Sequence, residues 1–275
     1  MSSILIKFIG QSLNGLSYIS KSYAANKALE LFSKPRKGQI TEIQASFLNT
    51  AIKEKISYNT YQIMTYRWGN NGPTILLVHG WESNSARWKP FIKHFENSPY
   101  TLIALDAPAH GNSGSSTFNA LLYAEFINEV AKKFQPSIII GHSVGGMATV
   151  FFQHKYQLKS VEKLVLLGVP SEFKDILKRY TDMLSYNRKI SNHLNVVIAK
   201  RFGSSPESFS TAKHIRSINS DGLIIHDEDD KVIPFNDALQ IKNNFKNSKL
   251  ISTKGLGHSL NHKTVITHVS EFIDS

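Results

Sequence analysis

Three features of this sequence predict a mostly parallel, doubly wound α/β sheet with a helical insertion. First, short apolar runs alternate with amphipathic stretches of helical period from Thr74 onward. Second, runs such as Thr74–Val78 and Thr101–Leu105 are uninterrupted, as expected of strands buried on both faces. Third, about fifty residues between Val169 and Asp221 carry helical stripes and no strand run. A segment of that length inside a compact domain is usually functional. Residues 171–219 are therefore expected to form a helical lid.

The elements follow in order. Leu5, Ile9, Leu13, Leu16 and Ile19 recur at steps of four and three, which predicts a helix with one apolar face. Lys34-Pro35-Arg36-Lys37-Gly38 reads as a hinge and Thr41–Lys53 as a second short helix, so residues 1–54 form an N-terminal helical extension. Tyr61–Trp68 alternates like a strand, and Asn70-Asn71-Gly72-Pro73 reads as a turn. Residues 55–170 and 220–275 are assigned to the α/β core. Within it, helices are expected at Trp88–Phe95, along the stripe from Phe118 to Phe134, at Gly146–Gln157, near Asn236–Phe245 and at His262–Ile273. Further strands are expected at Ser137–Ile140, Leu164–Leu167, Leu223–Ile225 and Lys249–Ser252. In the insertion, Phe173, Ile176, Leu177, Tyr180 and Leu184 make one stripe, and Leu194, Val197, Ile198 and Phe202 another.

Composition narrows the chemistry. A chain of 275 residues suits one large α/β domain, and 41% hydrophobic with 19% charged residues excludes a disordered chain. There is no cysteine, which removes disulfides, thiolate nucleophiles and zinc–thiolate sites, and fits a reducing compartment. The formal charge of +11 raises nucleic acid or an anionic membrane as partners. Residues 1–60, 61–170, 171–219 and 220–275 carry +5, +3, +5 and −2, so the excess is dispersed. With no nucleic-acid-binding motif present, solvated surface is the expected reading and nucleic acid is not an expected partner. No apolar run reaches spanning length, and Ile4–Ile9 is too short for a signal-peptide core. The first helix is expected to pack on the main domain. The alternative is weak contact with a membrane surface through residues 1–20, aided by Lys7, Lys21 and Lys27. A cytoplasmic location is expected, peripheral to the membrane if that alternative holds.

The strongest chemical signal is Gly141-His142-Ser143-Val144-Gly145-Gly146, between an expected strand and an expected helix. This is the G-x-S-x-G nucleophile elbow in its proper context. A sharp turn there holds Ser143 in a strained conformation, and Gly141 and Gly145 avoid collisions with strand and helix. A serine needs a base, and the base an orienting carboxylate. His258, in the glycine-rich turn after the last expected strand, is the expected base; its rival His262 starts the closing helix. Four adjacent acids, Asp227-Glu228-Asp229-Asp230, offer the carboxylate. No dinucleotide, triphosphate or H-E-x-x-H motif occurs, and no cofactor or metal is expected.

From about Tyr61 onward the sequence resembles the α/β-hydrolase superfamily, in its serine-nucleophile esterase and lipase branch. The family's acid loop, His-Gly-x-x-Asp-x-x-Val-Pro, is similar to His226-Asp227-Glu228-Asp229-Asp230-Lys231-Val232-Ile233-Pro234. The resemblance implies Asp230 as the acid, with Asp229 as fallback. Asp227 stands where the family has glycine. The His79-Gly80-Trp81 turn is similar to the family's oxyanion turn, which implies backbone N–H donors on Trp81 and Val144. His79, Gly80 and His142 are then supporting residues, and Asp106–Ser113 is a structural turn, with His110 an outside candidate for substrate contact. The implied activity is hydrolysis of a small-molecule carboxylic ester through an acyl-enzyme, with no cofactor. Alternatives are a serine aminopeptidase or proline-iminopeptidase, a thioesterase, and a non-catalytic binding protein on this fold. The sequence leaves acyl length and oligomeric state open.

Overall fold

The computed structural model describes residues 3–69 and 72–275. The expected turn at Asn70-Asn71 lies outside the described residues. Eight strands form one sheet: β1 (Ile52–Tyr58), β2 (Tyr61–Trp68), β3 (Thr74–Val78), β4 (Thr101–Leu105), β5 (Ile138–His142), β6 (Lys163–Leu167), β7 (Asp221–Asp227) and β8 (Ser248–Thr253). The order is β1-β2-β4-β3-β5-β6-β7-β8. β1 and β2 are antiparallel to their neighbours, and all pairs from β4 to β8 are parallel. The helices are α1 (Ser3–Ile19), α2 (Lys21–Ser33), α3 (Glu42–Leu48), α4 (Lys89–His94), α5 (Ala120–Phe134), α6 (Val144–Tyr156), α7 (Phe173–Met183), α8 (Arg188–Phe202), α9 (Thr211–His214), α10 (Phe235–Lys242) and α11 (Lys263–Asp274).

The main unit comprises residues 35–171 and 211–275. Its central strands are mainly apolar because helices cover both faces. On one face Ile75, Leu77, Ile140, Val165 and Ile225 pack against Trp88, Phe91, Val265 and Val269. The chain order leaves β3 between β4 and β5, so the crossovers diverge at β3. Ligands in open α/β sheets bind beyond the C-terminal strand ends at such a point. The pairs Val78↔Gly141 and His142↔Leu167 bring the ends of β3, β5 and β6 level.

Two differences from the sequence reading have physical causes. The helix expected over Thr41–Lys53 stops at Leu48, and Ile52–Tyr58 is an edge strand. Its Lys53-Glu54-Lys55 run is the charge typical of a sheet edge, so it carries no apolar signature. It is identified by its antiparallel backbone ladder to β2, from Ile52↔Arg67 to Tyr58↔Tyr61.

The second difference concerns the extension and the insertion, assigned above to 1–54 and 171–219. Residues 1–34 and 172–210 instead form one compact unit, while α3, β1 and Thr211–Ser217 belong to the main unit. In the small unit, Leu13, Ala24, Ala25, Ala28 and Leu29 share a core with Leu177, Ile190, Leu194 and Ile198. The alanines on α2 let α8 approach closely. A Cβ on Gly10 would stand 1.9 Å from the Leu184 carbonyl oxygen, so α1 meets the α7–α8 turn backbone to backbone. Asn14 takes the Asn187 N–H at 2.8 Å and donates to Ser185 O at 2.9 Å. The Tyr180 hydroxyl donates to Ala28 O at 2.8 Å. Contacts this distant in sequence leave no local trace, which is why periodicity finds the helices but not their pairing.

Candidate active site

β5 delivers the nucleophile candidate. The chain turns from His142 into α6 through Ser143, at φ 53° and ψ −131°, a strained conformation for a residue with a side chain. Compact packing holds the turn. A Cβ on Gly145 would lie 2.3 Å from His79 O, and one on Gly80 would lie 2.9 Å from Ser143 Cβ. These two glycines let the β3 turn and the elbow touch.

β7 and β8 bring the partners. His258 Nε2 lies 2.9 Å from Ser143 Oγ, and His258 Nδ1 lies 2.7 Å from Asp230 Oδ2. Asp230 is buried whereas Asp229 is exposed. The other oxygen, Asp230 Oδ1, accepts the N–H groups of Val232 and Ile233 at 2.7 and 2.9 Å. Burial pushes the Asp230 carboxyl up. Hydrogen bonds from His226, His258 and the Ile233 and Val232 amides outweigh it and hold the carboxyl well below the usual carboxylate range. His262 is not in this line: it caps the N-terminus of α11 and is exposed.

The remaining histidines brace the backbone. His79 donates from Nδ1 to Gly80 O at 2.8 Å and accepts the Ala107 N–H on Nε2 at 2.9 Å. His110 donates to Pro108 O at 2.8 Å and accepts the Glu82 N–H at 3.0 Å. Both nitrogens of His110 are engaged and the side chain is buried, which removes it as a substrate-contact candidate. His226 Nε2 donates to Ile233 O at 2.8 Å, closing the acid loop. Burial keeps His79, His110 and His142 below the ordinary histidine range, so they serve as neutral braces. Asp106 lies under the β4 turn and accepts from Ser85 N and Oγ, Tyr66 Oη and Asn112 N, at 2.7–3.1 Å.

Two supporting residues escaped the sequence reading. Arg87, in a 3-10 turn before α4, donates from Nη2 to Ser259 O at 2.9 Å, and its guanidinium lies over the Trp88 ring. Burial pushes the guanidinium down to about 10, so it stays charged at neutral pH. Asp227, in place of the expected glycine, accepts from Thr253 Oγ1 at 2.8 Å, Leu256 N at 2.9 Å and Asp229 N at 3.0 Å. It joins the acid loop to the segment that leads to His258. The departure from the family pattern at Asp227 was the one available signal. Arg87 gave none, since a lone arginine before a tryptophan reads as surface. Trp81's indole packs edge-on against His110 and Phe118, with centroids 5.4 and 5.3 Å away.

A family model described as "alpha/beta hydrolase fold" matches residues 73–188. The bifunctional esterase/perhydrolase of Acinetobacter calcoaceticus is 25% identical over 242 residues, covering 70% of this chain and 88% of the relative. A human serine hydrolase-like protein is 28% identical over 141 residues, covering 49% of this chain and 68% of the relative. Among solved structures, an esterase from Exiguobacterium antarcticum superposes with a TM-score of 0.64 at 17% identity, covering 82% of this chain and 100% of that one. At that identity the likeness speaks for the fold alone.

Proposed function

We propose that this chain, a hydrolase of the α/β-hydrolase fold, cleaves carboxylic esters through an acyl-enzyme on Ser143. The observation that carries this reading is the unbroken line Ser143 Oγ–His258–Asp230, with spacings of 2.9 and 2.7 Å. His258 Nε2 takes the Ser143 proton as Oγ attacks the ester carbonyl. Asp230, held as a carboxylate, fixes the His258 tautomer with Nδ1 protonated and stabilises the imidazolium. The same proton goes to the leaving alkoxide as the C–O bond breaks. Water then attacks the acyl carbon, again with His258 as base, and releases the acid and free Ser143.

The backbone N–H groups of Trp81 and Val144 form the oxyanion hole in this scheme. Val144 is the first residue of α6, so its N–H has no partner within the helix. The close approach of Gly80 to Ser143, where an added Cβ would lie 2.9 Å from Ser143 Cβ, supports its neighbour Trp81 as the second donor. Removing one such donor typically costs about 2.7–4 kcal/mol in the transition state. The likeness to an esterase/perhydrolase supports an ester over an amide as the bond cleaved. A series of p-nitrophenyl esters of increasing acyl length tests the proposal. Turnover by wild type that is lost in Ser143→Ala supports it. Equal turnover by both proteins overturns it.

A further inference from the structure

The exposed apolar surface of this protein is unevenly placed. Among the described residues fourteen large hydrophobic side chains face solvent, and eight of them lie in α1 and α2: Ile4, Leu5, Phe8, Leu16, Tyr18, Ile19, Tyr23 and Leu31. α1 is apolar on both sides. Its inward face carries Gly10, Leu13 and Ser17, already packed in the small unit. Its outward face carries Ile4, Phe8 and Ile19, with exposures of 78%, 66% and 86%. Positions 4, 8, 15 and 19 follow one another at steps of four and seven, so they form a single stripe. An exposed apolar stripe opposite a face that is already packed normally marks a contact surface.

Charge identifies the cover. Lys7 and Lys21 are exposed along or just after α1. The Lys189 ammonium lies 3.7 Å from the Tyr18 ring centroid, on the same outward side. Among the described residues none of these three lysines is in an ion pair. The small unit as a whole holds eleven Lys and Arg against five Asp and Glu. An apolar stripe bordered by unpaired lysines matches an interfacial helix, whose apolar side chains enter the acyl boundary while the cations meet lipid phosphates. Among the described residues no helix is long and apolar enough to cross a membrane. We propose that the outward face of α1 docks this protein on an anionic lipid surface.

The test is co-sedimentation of the intact protein with phosphatidylglycerol or phosphatidylcholine vesicles, beside a Phe8→Glu/Ile19→Glu variant. Wild type is expected to partition onto the anionic vesicles at least about tenfold more strongly than onto the neutral ones, and less as salt rises. The double variant is expected to lose at least about tenfold in partitioning, as two buried apolar side chains become charged. Both sites are exposed, so its thermal unfolding should match wild type and report an intact fold. No binding to the anionic vesicles, or equal binding by the variant, overturns the proposal. So does a wild-type dimer in light scattering that the variant converts to a monomer, which would make a second copy the cover. None of these readouts uses turnover, so they stand or fall apart from the esterase reading.

Discussion

The His142 ring, one residue before Ser143, donates from Nε2 to the main-chain carbonyl of His258 at 2.9 Å. Arg87 donates to the next carbonyl, that of Ser259. Two donors from different elements thus hold the backbone at His258 and Ser259. The loop needs them: Gly255, Gly257 and Leu260 all have positive φ, and the two glycines give the backbone freedom to move. His142→Phe keeps an aromatic ring at the position and removes the donor. It is expected to lower kcat roughly 10–100-fold with little change in KM, because displacement of the base by about 1 Å costs of that order. Arg87→Met is expected to do the same more weakly. The double variant should lose less than the product of the two single losses, since both act on one loop. Steady-state kinetics on a p-nitrophenyl ester gives all four values.

Gly80→Ala is expected to abolish most activity. The new Cβ would stand 2.9 Å from Ser143 Cβ and 3.0 Å from His142 Nδ1, so the elbow must shift. Turnover should fall about 100-fold or more. A Gly15→Ala control, at a position with open space around it, should keep wild-type turnover.

Asp230→Asn separates chemistry from pH-dependent stability. The amide still fills the site but no longer fixes the tautomer with Nδ1 protonated, and kcat should fall by about four orders of magnitude. Asp229→Asn, at an exposed position, should stay near wild type. The folded Asp230 carboxyl is held below its unfolded value of about 3.9. Its contribution to stability is therefore complete above that pH and is lost as pH falls through the lower folded value. Denaturant titrations should show Asp230→Asn less stable than wild type by at least about 2 kcal/mol at pH 7, a gap that narrows below about pH 4.

The small unit offers a packing test. Gly10→Val would force a side chain into the Leu184 carbonyl and part α1 from the α7–α8 turn. Leu13→Ala, in the shared core, should cost about 2–5 kcal/mol in denaturant unfolding. The milder Leu13→Val should cost less than half of that.

The sheet and the turn that carries Ser143 were legible for the same reason: their signals are local. Continuous apolar runs mark β3 to β6, and a glycine-flanked serine between strand and helix marks the elbow. The proposed acid had no local signal, since four carboxylates stand together, and likeness to the family's loop pattern was needed to choose Asp230. In the structure Asp227, Asp229 and Asp230 divide by burial and by which backbone amides they accept. The polar edge strand β1, the joining of α1 and α2 with the inserted helices, and the Arg87 contact to Ser259 were not legible. Each is decided by partners far along the chain.

The proposed chemistry rests on Ser143 as the nucleophile that His258 activates. It is tested most directly by labelling the protein with a fluorophosphonate and mapping the adduct by peptide mass spectrometry. A single adduct on Ser143, absent in Ser143→Ala and slowed at least about 100-fold in His258→Ala, is the predicted result. An adduct on another residue, or labelling that persists in Ser143→Ala, would contradict it.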